Sequence, residues 1–79
     1  MTTLEFLTGI LTSQFDVDPA ELTPGSALRD VAVDSLAAIE LSLELEREYG
    51  FPVTEEEILS AETVSTLAEL LDRRIKEAA

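Results

Sequence analysis

The chain has 79 residues, 17 of them Asp or Glu against 5 Lys or Arg, for a net charge of −12. A protein this acidic does not grip nucleic acid or an anionic membrane surface through phosphate contacts; its field attracts basic partners, and part of the charge serves solubility. It has no cysteine and no histidine, which excludes disulfides, thiolate and imidazole metal sites, cysteine nucleophiles and any Ser-His-Asp triad.

Such a length holds one modest core, so residues 1–79 are read as a single domain with an expected radius of gyration of about 12 Å. That is too small to enclose a large substrate. Apolar residues make up 46% of the chain and argue for a folded state despite the charge. No apolar run reaches membrane-spanning length, and "MTTLEFLTGILTSQFD" lacks the basic start of a secretory signal, so a cytoplasmic monomer is expected. No phosphate-cradling loop can be built around the glycines, and catalysis by this chain alone is not expected.

The first helix is predicted over residues 3 to 15, where Leu4, Phe6, Leu7, Ile10, Leu11 and Phe15 recur at helical spacing. Thr2 and Glu5 form the S/T-x-x-E pattern of a capping box at its start. Residues 16 to 33, "DVDPAELTPGSALRDVAV", make a long connection with Val17, Leu22, Leu28, Val31 and Val33 spaced to pin it to a core. An anchored loop of that length is read as ordered and functional.

The second helix is predicted over 35 to 49, ended by Gly50. At about 100° per residue it carries two apolar faces. Ala38, Leu41, Leu45 and Tyr49 run its whole length and are assigned to the core. Leu36, Ile39 and Leu43 lie roughly opposite, in the first half, beside an acidic ridge of Glu40, Glu44 and Glu48. Like charges at that spacing disfavour the helix by about 0.2–0.5 kcal/mol per pair, so the ridge does not serve folding. An exposed apolar cluster beside acids reads as a docking surface. Burial of this second face by the long loop is the competing reading, and periodicity does not choose between them.

Thr54 with Glu57 makes a second capping box before a short third helix. Thr63 can cap the last helix, whose Val64, Leu67, Ala68, Leu71 and Ile75 form one stripe and whose Arg73, Arg74 and Lys76 suit its C-terminal end. The predicted fold is all-α: a small antiparallel bundle of three main helices and one short helix, with a long ordered loop between helices one and two.

Asp34 and Ser35 stand at the mouth of helix two. Asp-Ser before an apolar run reads first as an N-cap. With Asp34 as the cap, Ser35 falls at the first helical position with its hydroxyl toward solvent. A phosphate ester there would sit among unpaired backbone N–H groups at the positive end of the helix dipole. This serine can act as a nucleophile if a partner enzyme supplies the base and the electrophile.

"RDVAVDSLAAIEL", "LELEREYGFPV", the short acidic third helix and "TVSTLAELL" together resemble the acyl carrier protein family over nearly the whole chain. The resemblance implies that Ser35 is the attachment point of a covalent phosphopantetheine arm and Asp34 the acid preceding it. It implies that Leu36, Ile39, Glu40 and Leu43, with Asp34, Glu44 and Arg47 beside them, face partner enzymes, with no catalytic residue and no metal ligand in the chain. A phosphopantetheinyl transferase would move the arm from coenzyme A to Ser35, using Mg²⁺ held by the transferase and its substrate. An acyltransferase or an acyl or aminoacyl ligase would load the arm's thiol, and ketosynthase or tailoring enzymes with basic docking patches would use the resulting thioester. Three positions depart from the family pattern: Ala32 replaces a usual glycine, and Ala37 and Arg47 stand where fatty-acid carriers are often acidic. They favour a stand-alone carrier of polyketide or mixed peptide–polyketide biosynthesis over a housekeeping fatty-acid carrier; an aminoacyl cargo stays open.

Two other classes share this small, acidic, helical character. A calcium loop needs D-x-[DN]-x-[DN]-G, and "DVDPAELTPGSA" puts Ala20 and Glu21 where the third ligand and the glycine belong. An unmodified helical interaction domain, with Ser35 near the cap and nothing more, is compatible with the sequence. Intact mass separates it from a carrier.

Overall fold

Local capping chemistry sets where each helix starts. In the computed structural model, which describes residues 2–31 and 34–78, the elements are α1 (Thr3–Gln14), a 3-10 turn (Leu28–Val31), α2 (Ser35–Tyr49), α3 (Glu55–Ala61) and α4 (Val64–Ala78). Both predicted capping boxes form. The Glu5 N–H donates to Thr2 Oγ1 at 3.1 Å and the Thr2 N–H to Glu5 Oε1 at 3.3 Å. At α3 the matching bonds join Glu57 and Thr54 at 3.2 and 3.1 Å. Gly50 takes φ +80°, the left-handed conformation that glycine adopts without strain, and its N–H closes α2 on the Glu46 carbonyl at 2.8 Å.

The helices meet in three close pairs, α1 with α4, α2 with α3 and α3 with α4; α1 and α2 stand further apart. The core is aliphatic. Leu7 and Leu11 of α1, Leu41 and Leu45 of α2, Ile58 of α3, and Leu67 and Leu71 of α4 are fully buried. Full burial of such a side chain is worth about 1.5–3 kcal/mol, so this set accounts for most of the drive to fold. At the far end of α2, Tyr49 is half-buried between Phe6, edge-on at 5.5 Å, and Phe51, stacked at 5.8 Å. The radius of gyration is 11.3 Å, close to expectation.

The described part of the long connection, residues 16–31, is anchored as its apolar spacing predicts. Val17 and Leu28 are buried and Leu22 packs against the core. The predicted anchors Val33 and the Val31 side chain, and the turn residue Ala32, lie outside the described residues. What the sequence does not announce is where the loop docks. The Leu28 N–H donates to Glu62 O at 2.7 Å, while Val64 and Ser65 donate to Ser26 O and Pro24 O at 3.1 and 2.8 Å. An isolated antiparallel bridge pairs Ala27 with Thr63. The loop thus supplies acceptors to the first N–H groups of α4, which its own helix leaves unpaired. Thr63 adds the expected cap, accepting from the Thr66 N–H at 3.1 Å.

The structure refines the stripe and the basic end of α4. Ile75, the last residue of the stripe, is 36% exposed, one turn beyond Leu71 and beside Thr2, Thr3 and Tyr49. Arg74 does not serve the C-terminal end of its helix. It reaches back to the Glu57 carboxylate and the Pro52 carbonyl, tying α4 to the start of α3. Among the described residues no helix is long and apolar enough to cross a membrane.

Candidate functional site at the start and outer face of α2

Ser35 is the first residue of α2 and is exposed. Asp34 caps the helix: its carboxylate accepts the Ala37 N–H at 2.9 Å, and its carbonyl accepts the Ala38 N–H at 2.8 Å. The cap therefore uses Asp34 and leaves Ser35 free. Among the described residues the Ser35 hydroxyl has no hydrogen-bond partner, and the N–H groups of Ser35 and Leu36 have no acceptor. At the start of α4 loop carbonyls fill the matching positions. A phosphate ester on the Ser35 oxygen would meet these open N–H groups and the positive end of the helix, a placement typically worth 0.3–1 kcal/mol for an anion, to order of magnitude about 0.5.

Beyond Ser35 the outer face of α2 is apolar and open. Leu36 is 66% exposed, Ile39 45% and Leu43 57%, while Ala38, Leu41 and Leu45 on the opposite side are wholly covered. The long loop does not bury the second face. Glu40 is exposed and has no ion-pair partner among the described residues.

The acidic ridge is not continuous. Arg47 donates to Glu44 at 3.2 Å, one turn along the same helix, and Glu44 is partly covered. The pair is largely exposed and worth about 0–1 kcal/mol, yet it neutralises the middle of the ridge and leaves Glu40 and Glu48 unpaired among the described residues. Ala37, one of the three departures from the family pattern, is buried. It lies one turn before Leu41 on the inward side, where a small side chain fits against the core.

Sequence reasoning assigned no site to α3 or to the end of α1, and both contribute to the surface. Leu59 is 40% exposed because it follows Ile58 on a helix of two turns, and only one of two neighbours can face inward. Next to it, a cavity of about 360 Å³ opens between Leu59, Glu62 and the Leu28–Arg29 turn that leads toward Ser35. At the other flank of α2, Gln14 and Phe15 line a groove with Leu43. No cluster of three or more metal-binding side chains occurs among the described residues.

Residues 5–71 match the phosphopantetheine attachment site family. The chain belongs to this family, the acyl carrier proteins. It is 32% identical over 73 residues to an acyl carrier protein of Thermosynechococcus vestitus, covering 91% of this chain and 90% of that protein. Over 72 residues it is 35% identical to the polyketide-8 synthase acyl carrier protein 2 of Streptomyces avermitilis, covering 90% and 83% of the two chains. An acyl carrier protein of Rubrobacter xylanophilus is 36% identical over 70 residues, 87% of this chain and 83% of that one. As a member of this family the chain is a non-catalytic carrier whose cofactor is covalent phosphopantetheine, and its dealings are with modifying and biosynthetic enzymes. The lack of histidine and cysteine agrees with chemistry supplied from outside.

Proposed function

We propose that Ser35 carries the phosphopantetheine arm and that the chain, acting as one acyl-carrier-like domain and as a monomer, presents acyl or aminoacyl groups to enzymes of polyketide or related secondary-metabolite biosynthesis. The observation that carries this reading is the exposed Ser35 at the first position of α2, its hydroxyl without a partner among the described residues, behind an aspartate that does the capping. Other serines compete poorly. Ser13, Ser26 and Ser42 hydrogen-bond their hydroxyls to carbonyl oxygens. Ser60 is exposed but sits late in α3, and Ser65 is half-buried at the start of α4, where loop carbonyls take the N–H groups of Val64 and Ser65.

In the attachment step the Ser35 oxygen forms a bond to phosphorus, the bond from that phosphorus to the nucleotide half of coenzyme A breaks, and the serine proton passes to a base of the transferase. Once attached, the group supplies a terminal thiol, which the chain itself lacks. Asp34, Leu36, Ile39, Glu40, Leu43, Glu44 and Arg47 are the proposed partner-facing residues, and the cytoplasm, where coenzyme A is at hand, is the proposed setting. The polyketide assignment rests on Arg47 and Ala32 and on the likeness to the Streptomyces avermitilis protein. Ala37, which is buried, departs from the fatty-acid pattern as well. A fatty-acid carrier is the second reading, favoured by two relatives of comparable identity described simply as acyl carrier proteins.

The test is incubation with coenzyme A, Mg²⁺ and a broad-range phosphopantetheinyl transferase, followed by intact mass. One added arm is expected for the natural chain and for Ser60→Ala, and none for Ser35→Ala. Modification that persists in Ser35→Ala overturns the site. Ejecting and weighing the arm of protein isolated from its native host would then choose between cargoes.

A further inference from the structure

We infer that Glu62 is a strained joint which lets the last turn of α3 open, and that this opening releases the start of the turn leading into Ser35. The joint stands on the backbone alone; only its bearing on arm attachment rests on the reading of Ser35 as the modified residue.

Glu62 has φ +69° and ψ −47°, and the Thr63 N–H donates back to Ala61 O at 2.8 Å, two residues earlier. That is the γ-turn with positive φ, the rare and strained form. The other two described residues at positive φ are accommodated. Gly50 has no Cβ to clash, and Asp16, at φ +55°, follows a helix closed by the Val17 N–H on Leu11 O at 3.1 Å, where aspartate is tolerated. The Glu62 side chain is exposed and makes no hydrogen bond or ion pair among the described residues, so it does not offset the strain. A short connection imposes it. α3 ends at Ala61 and α4 begins at Val64, so two residues turn the chain while Ile58 and Ala61 on one side and Val64 and Leu67 on the other stay buried. Backbone strain persists only where the surroundings over-determine it in this way.

The two ends of α3 are held unequally. Its first turn carries the Thr54–Glu57 capping box, and Arg74 reaches the Glu57 carboxylate and Pro52 O. In its last turn Leu59 and Ser60 are exposed, and a helix of 7 residues does not persist without packing. Unwinding that turn returns Glu62 to an ordinary φ and takes its carbonyl away from the Leu28 N–H, a bond of 2.7 Å. The Val64 and Ser65 N–H groups belong to α4 and keep Ser26 O and Pro24 O. Leu28 begins the 3-10 turn that runs toward Asp34 and Ser35. One bistable element thus touches both α3 and the approach to the serine, which is what physical coupling between two places requires.

Amide hydrogen exchange of the natural chain, Glu62→Gly and Glu62→Ala tests this. In the natural chain the amides of Leu28, Ala61 and Thr63 should exchange through one common opening, faster than that of Leu45 in the core of α2. Glycine takes a positive φ freely. Glu62→Gly should therefore slow all three by about five- to thirtyfold, equivalent to roughly 1–2 kcal/mol at tenfold per 1.4 kcal/mol. Glu62→Ala, which removes the carboxylate and keeps the Cβ, should stay near the natural rate. Equal behaviour of the two variants would mean that charge, not backbone strain, is at work. Exchange of Leu28 and Thr63 no faster than Leu45 would mean that the joint opens only when the whole chain unfolds. Either result overturns the inference, as does slowing of Thr63 without Leu28, which would uncouple the joint from the loop. Arm attachment is read separately by intact mass: failure of the natural chain to load at Ser35 would remove the reading of the serine and leave the exchange result standing.

Discussion

The two sides of α2 are built from the same amino acids and do opposite work. Ala38, Leu41 and Leu45 are fully covered, while Leu36, Ile39 and Leu43, a few residues away on the same helix, are 66%, 45% and 57% exposed. Hydrophobicity alone does not separate them; position around the helix does. The covered side holds the bundle together. The open side contributes little to the core, and as proposed above it is left for partner enzymes.

The largest effect should come from truncating each side in turn. Leu45→Ala removes a fully buried side chain and should cost about 2–5 kcal/mol, enough to unfold a substantial fraction of so small a protein. Leu43→Ala should stay within about 0.5 kcal/mol of the natural chain, as an exposed substitution, while loading by the transferase weakens. Urea denaturation of both decides the matter. Equal losses would mean that the open side is packed in solution and the contrast disappears.

Much of this contrast is legible in the sequence, and for a physical reason. Helix ends are written in local chemistry: Thr2 with Glu5, Thr54 with Glu57 and the left-handed Gly50 all act within a few residues of themselves. The inward stripe of α2 follows from a period. Long-range pairings leave no such mark. Nothing local to "TPGSAL" says that its carbonyls will cap α4, and nothing in "DRRIK" says that Arg74 will turn back to Glu57. The period of α2 assigns Ala37 to neither side for a related reason: a small residue at the edge of a stripe fits either one, and only the close approach of neighbouring helices buries it. At the site, Asp34 and Ser35 are legible as a pair, but the break in the acidic ridge at Glu44 depends on which rotamer Arg47 adopts.

Next in size is the cap. Asp34→Ala removes the acceptor of the Ala37 N–H and should cost about 1 kcal/mol. Ser35→Ala should cost clearly less, because its hydroxyl bonds to nothing among the described residues. Thermal melts of the two variants test the division of labour at this corner. A larger loss for Ser35→Ala would make the serine structural.

Charge changes on the open side should be smaller still. Glu40→Lys replaces an unmatched acid. At about 0.2–1 kcal/mol for an exposed pair, loading should slow by roughly 1.4- to 5-fold, mostly through association and less so as salt rises. Glu44→Lys should have the weaker effect, since Arg47 already neutralises Glu44. The reverse order in transferase kinetics would mean that the Arg47 pair opens on docking.

The smallest effect belongs to the point where the covered side runs out. Tyr49 ends the inward stripe of α2, half-buried against Phe6 and Phe51. Burial pushes its phenol above the ordinary value of 10.0; the nearby Glu48 and Asp72 charges push the same way, and a hydrogen bond with Thr3 opposes them. The folded state therefore holds this proton more tightly than the unfolded chain. The stabilisation is complete below pH 10 and is lost as pH rises through the raised folded value. Since Tyr49 is the sole tyrosine and there is no tryptophan, absorbance near the phenolate band reads it alone. Its titration midpoint should lie above 10 in the native protein and return toward 10 in denaturant. Tyr49→Phe, which keeps the ring against Phe6, should flatten the alkaline fall in stability. A native midpoint at or below the ordinary value would show that this end of the stripe is solvated like the open side, and that the covered face of α2 stops at Leu45.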